Sequence, residues 1–189
     1  MDERRFRLDF VIAFCALLIS TVAAVATVYQ THVIARQFSA TVWPYVSFDD
    51  NFSPWMLELD LRNDGLGPAI VRSVSITWDG KPQSSLESLL ATFAASNPQA
   101  LAAARAALHK GAKLRITTST PTPGMVIPAN TQHTIIRLDG PVLVQYFRPA
   151  VKHFGLTICY CSLTGSCWVQ EYGRRGSEPT AVGSCSRRA

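Results

Sequence analysis

Residues 55–78, WMLELDLRNDGLGPAIVRSVSITW, hold two runs of strict alternation on either side of a turn. Trp55, Leu57, Leu59 and Leu61 fall on one face, and Met56, Glu58 and Asp60 on the other. A period of two is what a half-buried strand requires, because successive side chains point to opposite sides of the pleat. In the second run Ile70, Arg72, Val74, Ile76 and Trp78 alternate with Val71, Ser73, Ser75 and Thr77. Between the runs, Asn63-Asp64-Gly65 is turn chemistry and Gly67-Pro68 punctuates again. Gly65 and Gly67 are expected to supply backbone conformations that other residues resist, so that the two strands turn tightly.

The same patterning extends outward. Trp43–Phe48 reads as a short aromatic strand, and further strands are expected over Leu114–Thr118, Thr134–Leu138, Val142–Phe147, Phe154–Cys161 and Cys167–Tyr172. Asp139-Gly140-Pro141 reads as a turn, and residues 119–124 (STPTPG) as a proline-rich loop. About seven or eight short strands at regular spacing predict a mainly β fold, an immunoglobulin-like β-sandwich. A helical hairpin interrupts it over residues 84–111. Ser84 or Ser85 can cap a helix carrying Leu86, Leu89, Leu90 and Phe93 at helical spacing. Asn97 and Pro98 then open an Ala-rich second helix as N-cap and first helical residue, and Gly111 ends it.

Upstream lies FVIAFCALLISTVAAVATVY, residues 10–29, without one charged side chain. About 20 such residues cross the roughly 30 Å hydrocarbon layer as a helix, the conformation that satisfies its own backbone where lipid cannot. A cleaved signal peptide is the competing reading: Ala24-Val25-Ala26 fits the A-x-A pattern, and Arg4, Arg5 and Arg7 could form a positive leader. The run is longer than the usual apolar core of such peptides and continues past Ala26, which favours a retained anchor. Three arginines precede the span, and Arg36 alone follows within a dozen residues, so the N-terminus is expected in the cytoplasm and the remainder outside. Ala16, Ser20 and Ala24 recur every fourth residue, a small-residue face on which another membrane helix can pack.

The expected layout is a cytoplasmic stub (1–9), a transmembrane helix (10–29), a helical stem (30–42), an exported domain (43–173) and a basic tail (174–189). Net charge is +5, with Arg174, Arg175, Arg187 and Arg188 near the C-terminus. Such a tail can meet anionic lipid or an acidic partner. Nucleic acid is not expected outside the cytoplasm, and a solvated, mobile tail is the expected state. Charged residues make up only 16% of the chain, so its surface is expected to be less densely charged than that of a typical cytosolic protein.

Of the five cysteines, Cys15 lies in the anchor as a small apolar residue. The other four, Cys159, Cys161, Cys167 and Cys185, fall in the segment expected in an oxidising compartment. A hairpin around Leu163-Thr164-Gly165 sets Cys161 opposite Cys167, and Cys159 can then reach Cys185, so 161–167 with 159–185 is the favoured pairing of three. The alternative is a copper or zinc site built from Cys159, Cys161 and Cys167, although no histidine clusters beside them. No cofactor is expected.

No nucleophile elbow, phosphate loop, His-Glu-x-x-His or dinucleotide fingerprint is present. A triad assembled from a serine, His133 and Asp139 would need the fold to bring them together. Three stretches together resemble a family of uncharacterised bacterial single-pass inner-membrane proteins with a small exported β domain. They are Asn63-Asp-Gly-Leu-Gly-Pro-Ala69, Trp43-Pro44-Tyr45 after an anchor, and Tyr160-Cys-Ser…Cys167-Trp168. The resemblance implies a bacterial inner-membrane protein with its C-terminal domain in the periplasm, and carries no activity. The resulting expectation is a non-enzymatic interaction module, an accessory or assembly subunit of a larger membrane complex. Its partners would be the bilayer and other membrane subunits, with homo-oligomerisation a further form of assembly.

Overall fold

The computed structural model describes residues 2–173 and 178–185, without the side chains of residues 2–9, 39 and 40. The tail arginines at 174, 175, 187 and 188 lie outside the described residues.

The chain divides into two compact units, Met1–Thr41 and Val42–Ala189. The first is one helix, α1 (Asp2–Thr41), so the segments expected as anchor and stem form one continuous helix. Its apolar stretch reaches from Phe10 to Phe38, beyond the expected end at Tyr29, and none of these side chains is buried. A helix of these 29 residues is about 43 Å long, more than a hydrocarbon layer needs. The hydroxyls of Ser20, Thr21, Thr27 and Thr31 each donate to the carbonyl four residues earlier, at 2.7–2.9 Å. These hydroxyls are thereby satisfied within the helix itself.

The second unit runs β1 (Val46–Phe52), β2 (Met56–Asn63), β3 (Ala69–Trp78), β4 (Lys81–Gln83), α2 (Leu86–Ser96), α3 (Pro98–His109), β5 (Arg115–Thr118), β6 (Val126–Ile127) and β7 (Thr131–Asp139). It continues through α4 (Pro141–Ala150), a 3-10 turn (Val151–His153), β8 (Phe154–Cys161), β9 (Cys167–Glu171) and β10 (Thr180–Val182). The strands form two antiparallel sheets, one ordered β1-β2-β7-β5 and the other β10-β9-β8-β3-β4, with β6 also pairing β3. Leu57, Leu59, Leu61, Ile136 and Leu138 from the first sheet meet Val71, Ile76, Trp78, Leu156, Ile158 and Tyr160 from the second in one core. Among the described residues, none before Val46 belongs to this core.

Two β-bulges explain where simple alternation fails. In β3 the register against β8 skips Arg72, so Val71 shares the buried face with Ile76 and Trp78, while Ile70 does not. In β7 Ile135 is the extra residue between the partners of Leu59 and Asp60. One inserted residue reverses the side-chain phase of all that follow it. Trp55, expected on the buried face, sits in the turn before β2 and is 69% exposed.

α2 and α3 lie between β4 and β5. Ser85 caps α2 through the Ser88 amide at 3.2 Å, and Leu86 and Leu89 enter the core. Asn97 does not cap α3 with its side chain; its amide group instead donates to the Phe93 carbonyl at 2.9 Å and closes α2. Gly111, at φ +83°, follows the last turn of α3, where left-handed backbone suits a residue without Cβ.

The strand expected over Val142–Phe147 is helix α4 instead. Gly140 at φ +125° breaks the strand, and Pro141, with φ fixed and no N–H to satisfy, opens the helix. Val144 and Phe147, three residues apart, then occupy one buried face. β-Branched and aromatic residues suit a strand, but tertiary burial at helical spacing overrides that preference.

Candidate functional site: a sulfur cluster and an aromatic cleft

Cys159 and Cys161 are two apart on β8 and therefore project from the same face. β9 pairs antiparallel to β8 with Cys167 directly opposite Cys161. The structure joins Cys161 to Cys167 and Cys159 to Cys185, the pairing favoured from the hairpin reading. The two disulfides touch: Cys161 Sγ lies 3.7 Å from Cys185 Sγ, and the sulfurs of Cys161, Cys167 and Cys185 all lie within 4.8 Å of one another. The trio that converges thus contains Cys185 in place of the Cys159 expected for a metal site. Cys15 is unpaired on α1. His153, at the far end of β8, is bound through Nδ1 to Asp79 and packs on Trp78, with ring centroids 5.8 Å apart.

Tyr160, between the paired cysteines, points into the core. Its ring stacks on Trp168 at 5.8 Å, and its hydroxyl accepts the Val46 amide at 3.2 Å. Burial pushes the Tyr160 phenol up to about 12, since the phenolate would lose its solvation.

The residues named for a triad are only partly brought together. Ser119 Oγ and His133 Nε2 are 2.8 Å apart. Asp139 is occupied elsewhere: it accepts from Arg137 Nε at 3.1 Å, while Arg137 Nη1 donates to Glu58 at 3.2 Å. The hydrogen bond and charge of Asp139, with Glu58 behind them, raise the Arg137 guanidinium above its ordinary value. A serine–histidine contact needs a third group to orient the imidazole before it matches a triad. Asp139 does not supply it. Asp60, expected to face outward, is 3% exposed, with Oδ2 accepting from Gln132 Nε2 at 2.6 Å. Gln132 stands two residues along β7 from Thr134, the cross-strand partner of Asp60, and lays its amide over the carboxylate.

A second feature was not legible from the sequence. Phe48, Asp50 and Phe52 alternate on β1 and line a cleft of about 780 Å³ together with Arg148, Lys152 and Tyr172. Tyr172 meets Phe48 edge-on at 5.7 Å and Phe154 at 5.4 Å, and donates to Asp50 Oδ2 at 3.5 Å. The Arg148 guanidinium sits 5.7 Å from the Phe52 ring centroid, within cation–π range. Reading Val142–Phe147 as a strand hides this site, because α4 and the turn after it carry both cations to the cleft.

Comparison with protein-family models, curated proteins and solved structures gave no match.

Proposed function

We propose that this chain is a membrane-anchored interaction module, an accessory or assembly subunit of a larger bacterial inner-membrane complex. α1 lies in the bilayer with its N-terminus in the cytoplasm, and residues 43–173 form an immunoglobulin-like β-sandwich in the periplasm with the α2–α3 hairpin as an insertion. The observation that carries the reading is the separation of roles in the chain. Phe10–Phe38 forms an apolar helix with no buried residue, while the β domain builds its core entirely from Val46 onward. An apolar surface of that length needs lipid or other helices to cover it.

The small-residue face of Ala16, Ser20 and Ala24 suits helix packing in the membrane. The aromatic cleft is the contact surface for the exported domain, since its rings and Arg148 belong to the residue types that carry binding energy at interfaces. The resemblance to exported single-pass proteins and the disulfide pairing agree with an oxidising compartment.

The test is purification of the full chain from bacterial membranes in mild detergent, with a reporter fused at the C-terminus. A periplasmic reporter, resistance to alkaline extraction, and a co-purifying membrane protein lost on Arg148→Ala with Phe52→Ala are expected. A monomer without a partner, or release by alkaline extraction, overturns the reading.

A further inference from the structure

The two disulfides are closer together than two independent cross-links need to be. We propose that the four cysteines form a redox-gated zinc site, closed as disulfides when oxidised and able to bind one Zn²⁺ as a tetrathiolate when reduced. This inference does not depend on the interaction-module reading.

The geometry supports it in two ways. Zn–S bonds of about 2.3 Å in a tetrahedron place sulfurs about 3.8 Å apart. The non-bonded separation of Cys161 and Cys185 Sγ is 3.7 Å, and Cys167 Sγ falls in the same group. Cys159 Sγ stands outside that group of three but is bonded to Cys185, so on reduction a side-chain rotation is needed for it to supply the fourth sulfur. Moreover, backbone pairing contributes to positioning the sulfurs alongside the disulfides. Cys159, Cys161 and Cys167 sit on β8 and β9, whose register is held by backbone pairing from Thr157–Glu171 to Cys161–Cys167. The segment leading to Cys185 is held to β9 by β10, through Thr180–Val169 to Val182–Cys167. Cys159, Cys161 and Cys167 are each less than 10% exposed, at 6%, 5% and 8%, so few waters compete for the ion.

The chemistry balances with an external dithiol as reductant. Each disulfide takes two electrons and two protons from one dithiol, which itself becomes a disulfide, and two thiols form per bond broken. Zn²⁺ then displaces four protons and is held by four thiolates. In reverse, two equivalents of an external disulfide each take two electrons from one pair of zinc-bound thiolates. Each leaves as a dithiol after taking up two protons, and the ion is released.

The test uses the full-length protein in mild detergent, with Co²⁺ as a spectroscopic stand-in for zinc. After reduction by a phosphine and its removal, one Co²⁺ per chain with thiolate charge-transfer and tetrahedral d–d bands is expected, displaced by one equivalent of Zn²⁺. The oxidised protein should bind none. Cys185→Ser should weaken cobalt binding at least tenfold, and Cys15→Ser should leave it unchanged. As an independent readout, Zn²⁺ should protect four of the five cysteines of the reduced chain from alkylation and leave Cys15 reactive. The proposal is overturned if reduced protein takes up no cobalt, if Cys185→Ser binds it equally, if zinc gives no protection, or if reduction abolishes the β-sheet circular dichroism.

Discussion

The side-chain oxygen of Asn63 accepts the backbone amide of Tyr45 at 3.1 Å, tying the end of β2 to the segment that leads into β1. The same oxygen accepts the Gly65 amide at 3.1 Å, and the side-chain nitrogen donates to the carbonyls of Gly67 at 2.8 Å and Ile127 at 3.0 Å. All four hydrogen-bonding positions of the carboxamide are used, on a residue with no exposed surface. Asn63→Ala would leave four backbone groups without this partner. At about 1 kcal/mol or more for each buried group that water cannot reach, the cost should be about 3 kcal/mol or greater. Thermal unfolding should shift down by roughly 10 °C, and Asn63→Asp should be at least as damaging, because it turns an acceptor toward two carbonyls.

Gly65 and Gly67 belong to the same clamp, for a reason other than the conformational one expected. Neither has a left-handed backbone. A Cβ on Gly65 would lie 2.5 Å from the Trp43 carbonyl oxygen and 2.7 Å from Pro44 C, and one on Gly67 would lie 2.7 Å from Val42 Cα and closer still to its carbonyl. Those neighbours are backbone and have no rotamer into which to move. Gly67→Ala should therefore destabilise the domain by about 2 kcal/mol or more, through the strain of forced overpacking. Gly165→Ala on the open β8–β9 hairpin meets nothing within 4 Å and is limited to the strain of φ +88°. It should cost about 1–2 kcal/mol. Equilibrium denaturation of the two variants compares them directly, and equal stabilities would refute the packing account.

The disulfides should contribute unequally. Cys159–Cys185 spans 26 residues and Cys161–Cys167 spans 6. In the chain-entropy model the longer loop is worth about 3.5 kcal/mol and the shorter about 2. Cys159→Ala with Cys185→Ala should lower the midpoint of chemical unfolding more than Cys161→Ala with Cys167→Ala. The reverse order would mean that the hairpin depends on its cross-link.

These features differ in how far the sequence reveals them. The alternation of Leu57, Leu59 and Leu61 is a direct imprint of one buried face, and β2 follows it. The neighbouring alternation in β3 misleads, because the bulge at Arg72 is set by pairing with Tyr160 and Cys159, about 90 residues away, and leaves no local mark. Val142–Phe147 satisfies strand preference and helical spacing at once, and only the core face waiting at Val144 and Phe147 decides between them. The Cys161–Cys167 pairing was readable since the hairpin is local, and Cys159–Cys185 followed as the remaining pair. The contact between the two disulfides was not, because β10 and the chain after it bring Cys185 in from a separate segment. The aromatic cleft joins β1, β9 and α4, and no short stretch of sequence contains it.

Tyr160 gives the domain a stability that depends on alkaline pH. Its phenol ionises at about 12 in the fold, raised from an ordinary value of 10.0 chiefly by burial. A group whose folded value is raised contributes fully below the unfolded value and loses that contribution as pH climbs through the folded one. The window is therefore pH 10 to 12, and the loss approaches about 2–3 kcal/mol at its upper end. Tyr160→Phe removes the ionisation and also the acceptor for the Val46 amide. The variant should be less stable than the wild type at neutral pH by about 1–2 kcal/mol, yet lose less stability between pH 10 and 12. Denaturation midpoints of both proteins across that window, with tyrosinate absorbance followed in parallel, separate the two effects. Identical pH slopes would show that the phenolate is accommodated in the folded core.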